Sequence, residues 1–184
     1  MKAKTICLLI LIAGILLYFI RVIDHFIYYL LRGSFINSGQ ALDCFIISGP
    51  VCLICFIIYI FFSHKKVRLL FFINTFMMVV ISMVLMYLLK VPYPSHAYII
   101  NPLGYGLPNI LLVFSASVYG FIFLYTQVGL LKIIMILCLI LSAIGHIYLS
   151  LAAFSTVLIS IGFALTEVSF LISYMHTNKK VYNS

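Results

Sequence analysis

Apolar residues follow one another along this chain in six long stretches, each interrupted by only a few polar side chains. The stretches cover residues 5–31, 44–62, 69–89, 109–126, 131–150 and 153–175. Each exceeds the roughly 4 to 8 residues of a buried strand, and none keeps the apolar and polar alternation of a membrane β-barrel. Because a spanning helix needs about 20 apolar residues, the pattern predicts an all-α polytopic integral membrane protein with six transmembrane helices.

The composition agrees with this prediction. With 66% hydrophobic and 8% charged residues, the chain lacks the polar side chains that cover a soluble globule. The polar loops are too short for a second domain, so we predict one membrane domain over residues 1–184. The 13 Tyr and 16 Phe residues are expected to face lipid and headgroups. The 5 cysteines are odd in number and lie mostly in apolar stretches, which indicates neither a disulfide framework nor a metal site.

The 11 Lys and Arg residues are distributed unevenly between the two sides of the predicted membrane. If the amino terminus is cytoplasmic, all of them except Arg21, Arg32 and Lys90 fall on the inner side. Lys and Arg near short loops set the orientation of membrane proteins, so we predict two cytoplasmic termini in a protein of the cell inner membrane. The cations lie scattered at helix ends, so the net charge of +8 does not indicate nucleic-acid binding.

Two lysines, Lys2 and Lys4, precede the first apolar stretch, as in a secretory signal, but no small-residue cleavage site follows Ile20. We therefore expect a retained anchor that runs through residues 5–31. Near its outer end Arg21 and Asp24 are spaced to pair at i, i+3, which is typical of a helix that emerges at the headgroup level.

The composition changes sharply in the predicted outer loop between Lys90 and Asn109. This loop holds four of the 5 prolines and two glycines. Proline fixes φ and glycine permits close backbone approach, so we expect a Pro/Gly-rich loop that forms a lid or a ligand wall. A purely structural connection between helices is the alternative.

Three segments on the outer side carry a pattern known from one family. Lys90 follows the third stretch, residues 104–111 read Gly-Tyr-Gly-Leu-Pro-Asn-Ile-Leu, and residues 145–157 read Gly-His-Ile-Tyr-Leu-Ser-Leu-Ala-Ala-Phe-Ser-Thr-Val. In these segments, their spacing and the helix count, the chain resembles the type 2 phosphatidic acid phosphatase superfamily, the lipid phosphate phosphatases related to vanadium haloperoxidases. The resemblance covers residues 40–175 and implies the same six-helix fold.

The residues that match the family belong to its scaffold, whereas those of its chemistry differ. The resemblance implies that Ala152 stands where the family has its nucleophilic His, and Leu111 where it has the His that protonates the leaving group. Thr156 replaces the Asp that orients the nucleophile, and His146 replaces an Arg that binds phosphate. Ala has no nucleophilic lone pair and Leu has no titratable proton, so the resemblance predicts a degenerate member without phosphatase activity.

Candidate phosphate ligands remain at the outer side. Lys90 is a cation, and Asn109 replaces a family Ser at a helix start, where it can cap the helix and donate through its amide. With His146 and His96 they form a candidate site for a lipid or isoprenoid phosphate; a snorkelling lysine and a simple cap are the alternatives. A second alignment matches residues 94–97, Pro-Ser-His-Ala, to a family Pro-Ser-Gly-His-Ala. It would give an active phosphatase with His96 as acid and His146 as nucleophile.

Glu167 is the acidic residue deepest in a predicted span. A central carboxylate costs on the order of 2.5 to 3.5 kcal/mol to insert, so we expect protonation or a polar partner, and Asn74 and Lys132 match its depth. Glu167 is either a packing residue or the proton or cation site of a small transporter, and a membrane-complex subunit is a related alternative. The sequence predicts membrane lipids as partners, no metal and no cofactor, and identifies no protein partner.

Overall fold

The computed structural model describes residues 2–34, 46–91, 106–148 and 151–182. Every regular element in these ranges is a helix, which confirms the all-α prediction for the described part of the chain. The elements are α1 (Lys2–Phe19), α2 (Arg21–Ser34), a π-helix (Ile47–Val51) that continues as α3 (Cys52–Phe62), α4 (Lys65–Leu89), α5 (Ile110–Tyr125), α6 (Gly129–Tyr148) and α7 (Phe154–Tyr182).

Three of the helices are long and apolar enough to cross a membrane. They are α4, α6 and the part Phe154–Met175 of α7. Shorter apolar helices accompany them over Ala3–Phe19, Ile47–Phe62 and Ile110–Tyr125. With 16 residues, α5 extends about 24 Å, somewhat less than the ~30 Å hydrocarbon core of a bilayer. These lengths indicate a membrane-associated helical protein.

The first apolar stretch, predicted as one anchor over residues 5–31, is divided at Ile20. The Ile20 N–H donates to Leu16 O at 3.1 Å and closes α1, while Ile20 O accepts from Ile23 N at 3.0 Å and from Asp24 N at 3.3 Å and opens α2. The polar residues of α2 lie on one face, so this helix is amphipathic where α1 is apolar all round. The division brings Asp24 to the start of α7.

α1 packs against α7 at a close crossing of two glycines. A Cβ atom on Gly14 would lie 2.8 Å from Ile159 N, and one on Gly162 would lie 2.6 Å from Leu11 N. Both distances are too short for real carbon atoms, so only glycine fits at these two positions. Small residues at such crossings let membrane helices approach closely and gain dispersion contacts along their length.

Neighbouring helices of the bundle alternate in direction. Lys4, at the start of α1, has its Nζ 4.5 Å from the ring centroid of Phe170 in the second half of α7. Phe71, near the start of α4, packs on Phe121 near the end of α5, and Met135 in the first half of α6 belongs to the same buried cluster. The starts of α1, α4 and α6 therefore share one end of the bundle. We name it the basic end, after Lys4, Lys65, Lys66, Arg68 and Lys132.

Aromatic side chains of α3, α4 and α5 fill the interior beside this end. The ring of Phe71 lies 5.2 Å from that of Phe56, 5.0 Å from that of Tyr59 and 4.7 Å from that of Phe121. Phe71 and Phe121 are fully buried, so the expectation that aromatic residues face lipid is wrong for these two. Offset and edge-to-face ring pairs pack well in an interior without water.

The π-helix has its irregular backbone satisfied by a side chain. It contains Pro50, which has no N–H to donate, so a regular hydrogen-bond ladder cannot continue through it. The buried Tyr119 of α5 donates its hydroxyl to Ile47 O at 2.5 Å. Backbone carbonyls in apolar surroundings need such a partner within the protein.

We predict that Gly162→Ala separates α1 from α7 and destabilises the fold by about 1 to 3 kcal/mol, the usual cost of overpacking. Thermal unfolding of the purified protein in detergent would show a lower midpoint. Gly129→Ala is the matched control, because nothing lies within 4 Å of a Cβ at that position. Equal midpoints for the two variants would contradict the close crossing.

Candidate functional site

Asn109 fixes the start of α5 at the end of the bundle opposite the basic end. Its Oδ1 accepts from Leu112 N at 3.2 Å, which confirms the predicted capping role. Its Nδ2 donates to Leu151 O at 3.3 Å, and its backbone N–H donates to Ser160 Oγ at 2.9 Å. Asn109 therefore joins three pieces of chain: the start of α5, the turn after α6 and the first half of α7.

His146 lies near the end of α6 and is 1% exposed. Its Nδ1 is 2.9 Å from Ser142 O, and because a carbonyl can only accept, Nδ1 carries the proton of this bond. The carbonyl of His146 accepts from Leu151 N at 2.9 Å and from Ala152 N at 3.2 Å. Both the side chain and the backbone of His146 thus shape the turn that leads into α7.

Asp24 reaches the same region from α2, across 131 residues of sequence. Its Oδ1 accepts from Ser155 N at 2.8 Å and its Oδ2 accepts from Ser155 Oγ at 2.5 Å. The first N–H groups of a helix have no partner inside the helix and carry partial positive charge, so a carboxylate is well placed there. The spacing in the sequence predicted a pairing of Asp24 with Arg21 and did not predict its contact with Ser155. The signal in the sequence was an acid in an otherwise apolar stretch.

The structure brings two of the four predicted phosphate ligands together. Asn109 and His146 meet at one junction, where Leu151 contacts both through its backbone. We call it the α5–α7 junction, comprising Asn109, His146, Leu151, Ala152 and Ser160. Both predicted ligands are buried and hydrogen-bonded to protein groups.

Lys90, the third predicted ligand, ends α4 with an exposed side chain. Its backbone adopts the left-handed conformation with φ 49°, which costs a non-glycine residue roughly 1 to 2 kcal/mol. Val91 O accepts from Gly106 N at 2.8 Å, so the chain that enters α5 returns beside the end of α4. The fourth ligand, His96, lies with residues 92–105 of the predicted lid outside the described residues.

Three positions that the resemblance would match to catalytic residues, Ala152, Thr156 and Leu111, are buried or half-buried. Ala152 is fully buried and belongs to one apolar cluster with Leu112 and Val157. Thr156 is 6% exposed, and Leu111 is half-buried. The methyl group of Ala152 cannot attack phosphorus, and the isobutyl group of Leu111 cannot protonate a leaving group.

No protein-family model matches this chain. No curated protein and no solved structure is similar to it either. The resemblance to the lipid phosphatases therefore depends on the quoted segments alone.

A second group of polar residues lies within the bundle. Glu167 of α7 interacts with the side chain of Asn74 of α4, one of the two neighbours that its depth predicted. Neither Glu167 Oε2 nor Asn74 Nδ2 reaches hydrogen-bond geometry, although both atoms are buried. The hydroxyls of Thr75, Ser82, Ser117 and Thr166 are also buried and have no hydrogen-bond partner among the described residues.

Such orphaned polar atoms are uncommon, because each costs roughly 1 to 3 kcal/mol. Their helices α4, α5 and α7 meet in the interior, and α5 packs against both others. Among the described residues, no group of three or more His, Cys, Asp or Glu side chains is placed to hold a metal ion. The interior group is therefore polar but has no ligand set for a transition metal.

We predict that Asp24→Ala lowers the stability of the protein by about 1 to 3 kcal/mol, because it leaves a buried N–H of α7 unpaired. Asp24→Asn keeps an acceptor and should lose less, and Ser155→Ala should lose only the hydroxyl contact. Thermal unfolding in detergent measures the order of the three variants. If Asp24→Ala unfolds at the wild-type temperature, the contact does not hold α7 in place.

Proposed function

We propose that this chain is a six-helix integral membrane protein with a lipid-phosphatase-like scaffold, that it has lost catalysis, and that it binds a lipid or isoprenoid phosphate at its outer face. The observation that carries the proposal is the contact between Asn109 Nδ2 and Leu151 O. It joins the two segments whose family counterparts together hold the phosphoryl group. A chance resemblance in two separate segments gives no reason for them to meet in space.

We infer the loss of catalysis from two side chains in these segments. Phosphoryl transfer through a covalent intermediate needs a nucleophile and a proton donor, and Ala152 and Leu111 supply neither. His146 would have to serve as a relocated nucleophile in the active alternative. Its ring is 1% exposed and its Nδ1 is bonded to Ser142 O, so a substrate phosphate has no access to it in this conformation.

The proposed orientation rests on charge. The basic end carries five described cations, whereas Lys90 and Arg21 lie at the other end. By the positive-inside tendency, the basic end faces the cytoplasm and both termini lie there, which suits a protein of the cell inner membrane. The α5–α7 junction and Lys90 then face the outer side.

Lys90 is the cation that we assign to the phosphate. It occupies a left-handed position at the end of α4, where glycine is the usual residue because it has no Cβ. A non-glycine residue in such a conformation points to a role for its side chain. The adjacent Gly106, which donates to Val91 O, brings the start of α5 beside this cation.

We predict that the purified protein binds farnesyl phosphate and that Lys90→Gln weakens binding by about tenfold, the equivalent of 1.4 kcal/mol for one charge-assisted contact. Isothermal titration calorimetry in detergent measures it. Lys65→Gln, which removes the same charge at the basic end, is the matched control. Lys90→Gly should fold at least as stably as the wild type, because glycine suits φ 49°, and it should bind equally weakly.

The same preparations test the loss of catalysis. The proposal predicts no release of phosphate from farnesyl phosphate by the wild type. Steady release would contradict it, and loss of that release in His146→Ala would establish the active alternative with a relocated nucleophile. Equal binding by the wild type and Lys90→Gln would overturn the phosphate site.

A small transporter is the second candidate, and the orphaned atoms around Glu167 favour it. In proteoliposomes with an imposed pH gradient, a proton pathway through this residue would dissipate the gradient, and Glu167→Gln would abolish the flux. Our principal proposal predicts that the wild type and Glu167→Gln leak no faster than empty liposomes. Pyranine fluorescence inside the vesicles measures the rate.

A further inference from the structure

An apolar crevice of about 370 Å³ opens between α1 on one side and α5 and α6 on the other. Its walls expose only apolar atoms. The residues of α1 that line the crevice are spaced at i, i+3, i+4 and i+7, so they lie on one side of the helix. These residues are Ala3, Ile6, Cys7 and Ile10.

The crevice lies within one half of the membrane thickness. Its lining on α1 runs from Ala3 to Ile10 and on α6 from Met135 to Leu139. Seven residues of helix extend about 10 Å, a third of a ~30 Å hydrocarbon core. The α1 segment lies in the half of its helix nearest the basic end, and the α6 segment runs from that half to the middle of α6. The crevice therefore opens into the leaflet on that side.

α6 carries a cation one turn beyond the lining of the crevice, toward the basic end. Lys132 precedes Met135 and Ile136 by one turn, on the same face of α6, and it is half-buried. The start of α6, at Gly129, adds the partial positive charge of a helix amino terminus. Lys4, near the start of α1, places its ammonium over the ring of Phe170 of α7. Its charge adds to the positive potential of the basic end.

We propose that this crevice binds one acyl chain of an anionic phospholipid, whose phosphate is held at Lys132. An apolar volume at hydrocarbon depth fits a chain of methylene groups, and 370 Å³ is at the small end of ligand clefts. A cation one turn beyond the apolar lining, at the level of the headgroups, matches a negatively charged headgroup. This site is separate from the proposed phosphate site at Lys90, which lies at the other end of the bundle.

The absence of tryptophan from the chain allows a direct test. Phe123→Trp places a single tryptophan, the crevice reporter, in the lining of the crevice. Phe72→Trp places one, the lipid reporter, on the lipid-facing side of α4. The two reporters lie at similar depth, because Phe71 packs against Phe121. Each variant is reconstituted in phosphatidylcholine vesicles that contain a tenth of either brominated phosphatidylglycerol or brominated phosphatidylcholine, and quenching is measured.

We expect the crevice reporter to be quenched with about fivefold higher apparent affinity by the brominated phosphatidylglycerol, the effect of one basic residue at an anionic surface. The preference should disappear in Lys132→Gln, persist in Lys132→Arg and fall at high salt. The lipid reporter should show no comparable preference. Ile6→Trp, on the α1 wall of the crevice, replaces the crevice reporter if Phe123→Trp does not fold.

Two results would overturn the proposal. Equal quenching of the crevice reporter by the two brominated lipids would mean that no anionic headgroup is held at Lys132. Weaker quenching of the crevice reporter than of the lipid reporter by both lipids would mean that protein side chains, and not a lipid chain, fill the crevice. Neither result would alter the outcome of the farnesyl phosphate experiment, which probes Lys90.

Discussion

The hydrogen bonds between the Asp24 carboxylate and Ser155, at the start of α7, determine the arrangement of the bundle at the end opposite the basic end. A helix that starts in apolar surroundings has N–H groups that water cannot satisfy, and here a residue from α2 satisfies one of them. The chain passes from α1 to α2 at Ile20, four residues before Asp24. With α7 held in this way, Ser160 Oγ accepts a hydrogen bond from the backbone N–H of Asn109. This bond fixes the start of α5. The contacts of Asp24 and Ser160 thus connect the first, fourth and last apolar stretches.

Much of the fold could be predicted from the sequence because the apolar stretches are long and local. Stretch length predicted helices, which the described residues confirm, while the number of six membrane spans stays a prediction. Asn109 before an apolar run predicted the cap of α5. The division at Ile20 could not be predicted, because apolar residues continue through it. The contact that Asp24 makes beyond it is with Ser155, 131 residues away along the chain. The same limit applies to Gly14 and Gly162, since small residues reveal their purpose only when the partner helix is known. Aromatic residues such as Phe71 occur both in interiors and against lipid, so their composition does not separate the two.

The candidate site shows a similar division between local and distant information. The resemblance singled out Asn109 and His146, and each of them bonds to the backbone of Leu151. Both side chains are hydrogen-bonded to backbone carbonyls. The motifs could not predict this, because every residue has a backbone carbonyl and the sequence does not show which one is near. Glu167 marks the converse case, in which depth along the helix correctly suggested Asn74. The neighbouring orphaned hydroxyls went unnoticed, since Ser and Thr in membrane helices usually bond to their own backbone.

The glycine crossing between the first and last helices has a consequence for biosynthesis. Roughly 150 residues separate Gly14 from Gly162, and a ribosome that adds 5 to 20 residues per second needs on the order of 10 s to make them. Throughout that interval α1 has already left the ribosome while the groove it will occupy does not yet exist. Its glycine-lined surface must meanwhile be covered by lipid or by the insertion machinery, and the bundle closes only after translation has reached its last segment.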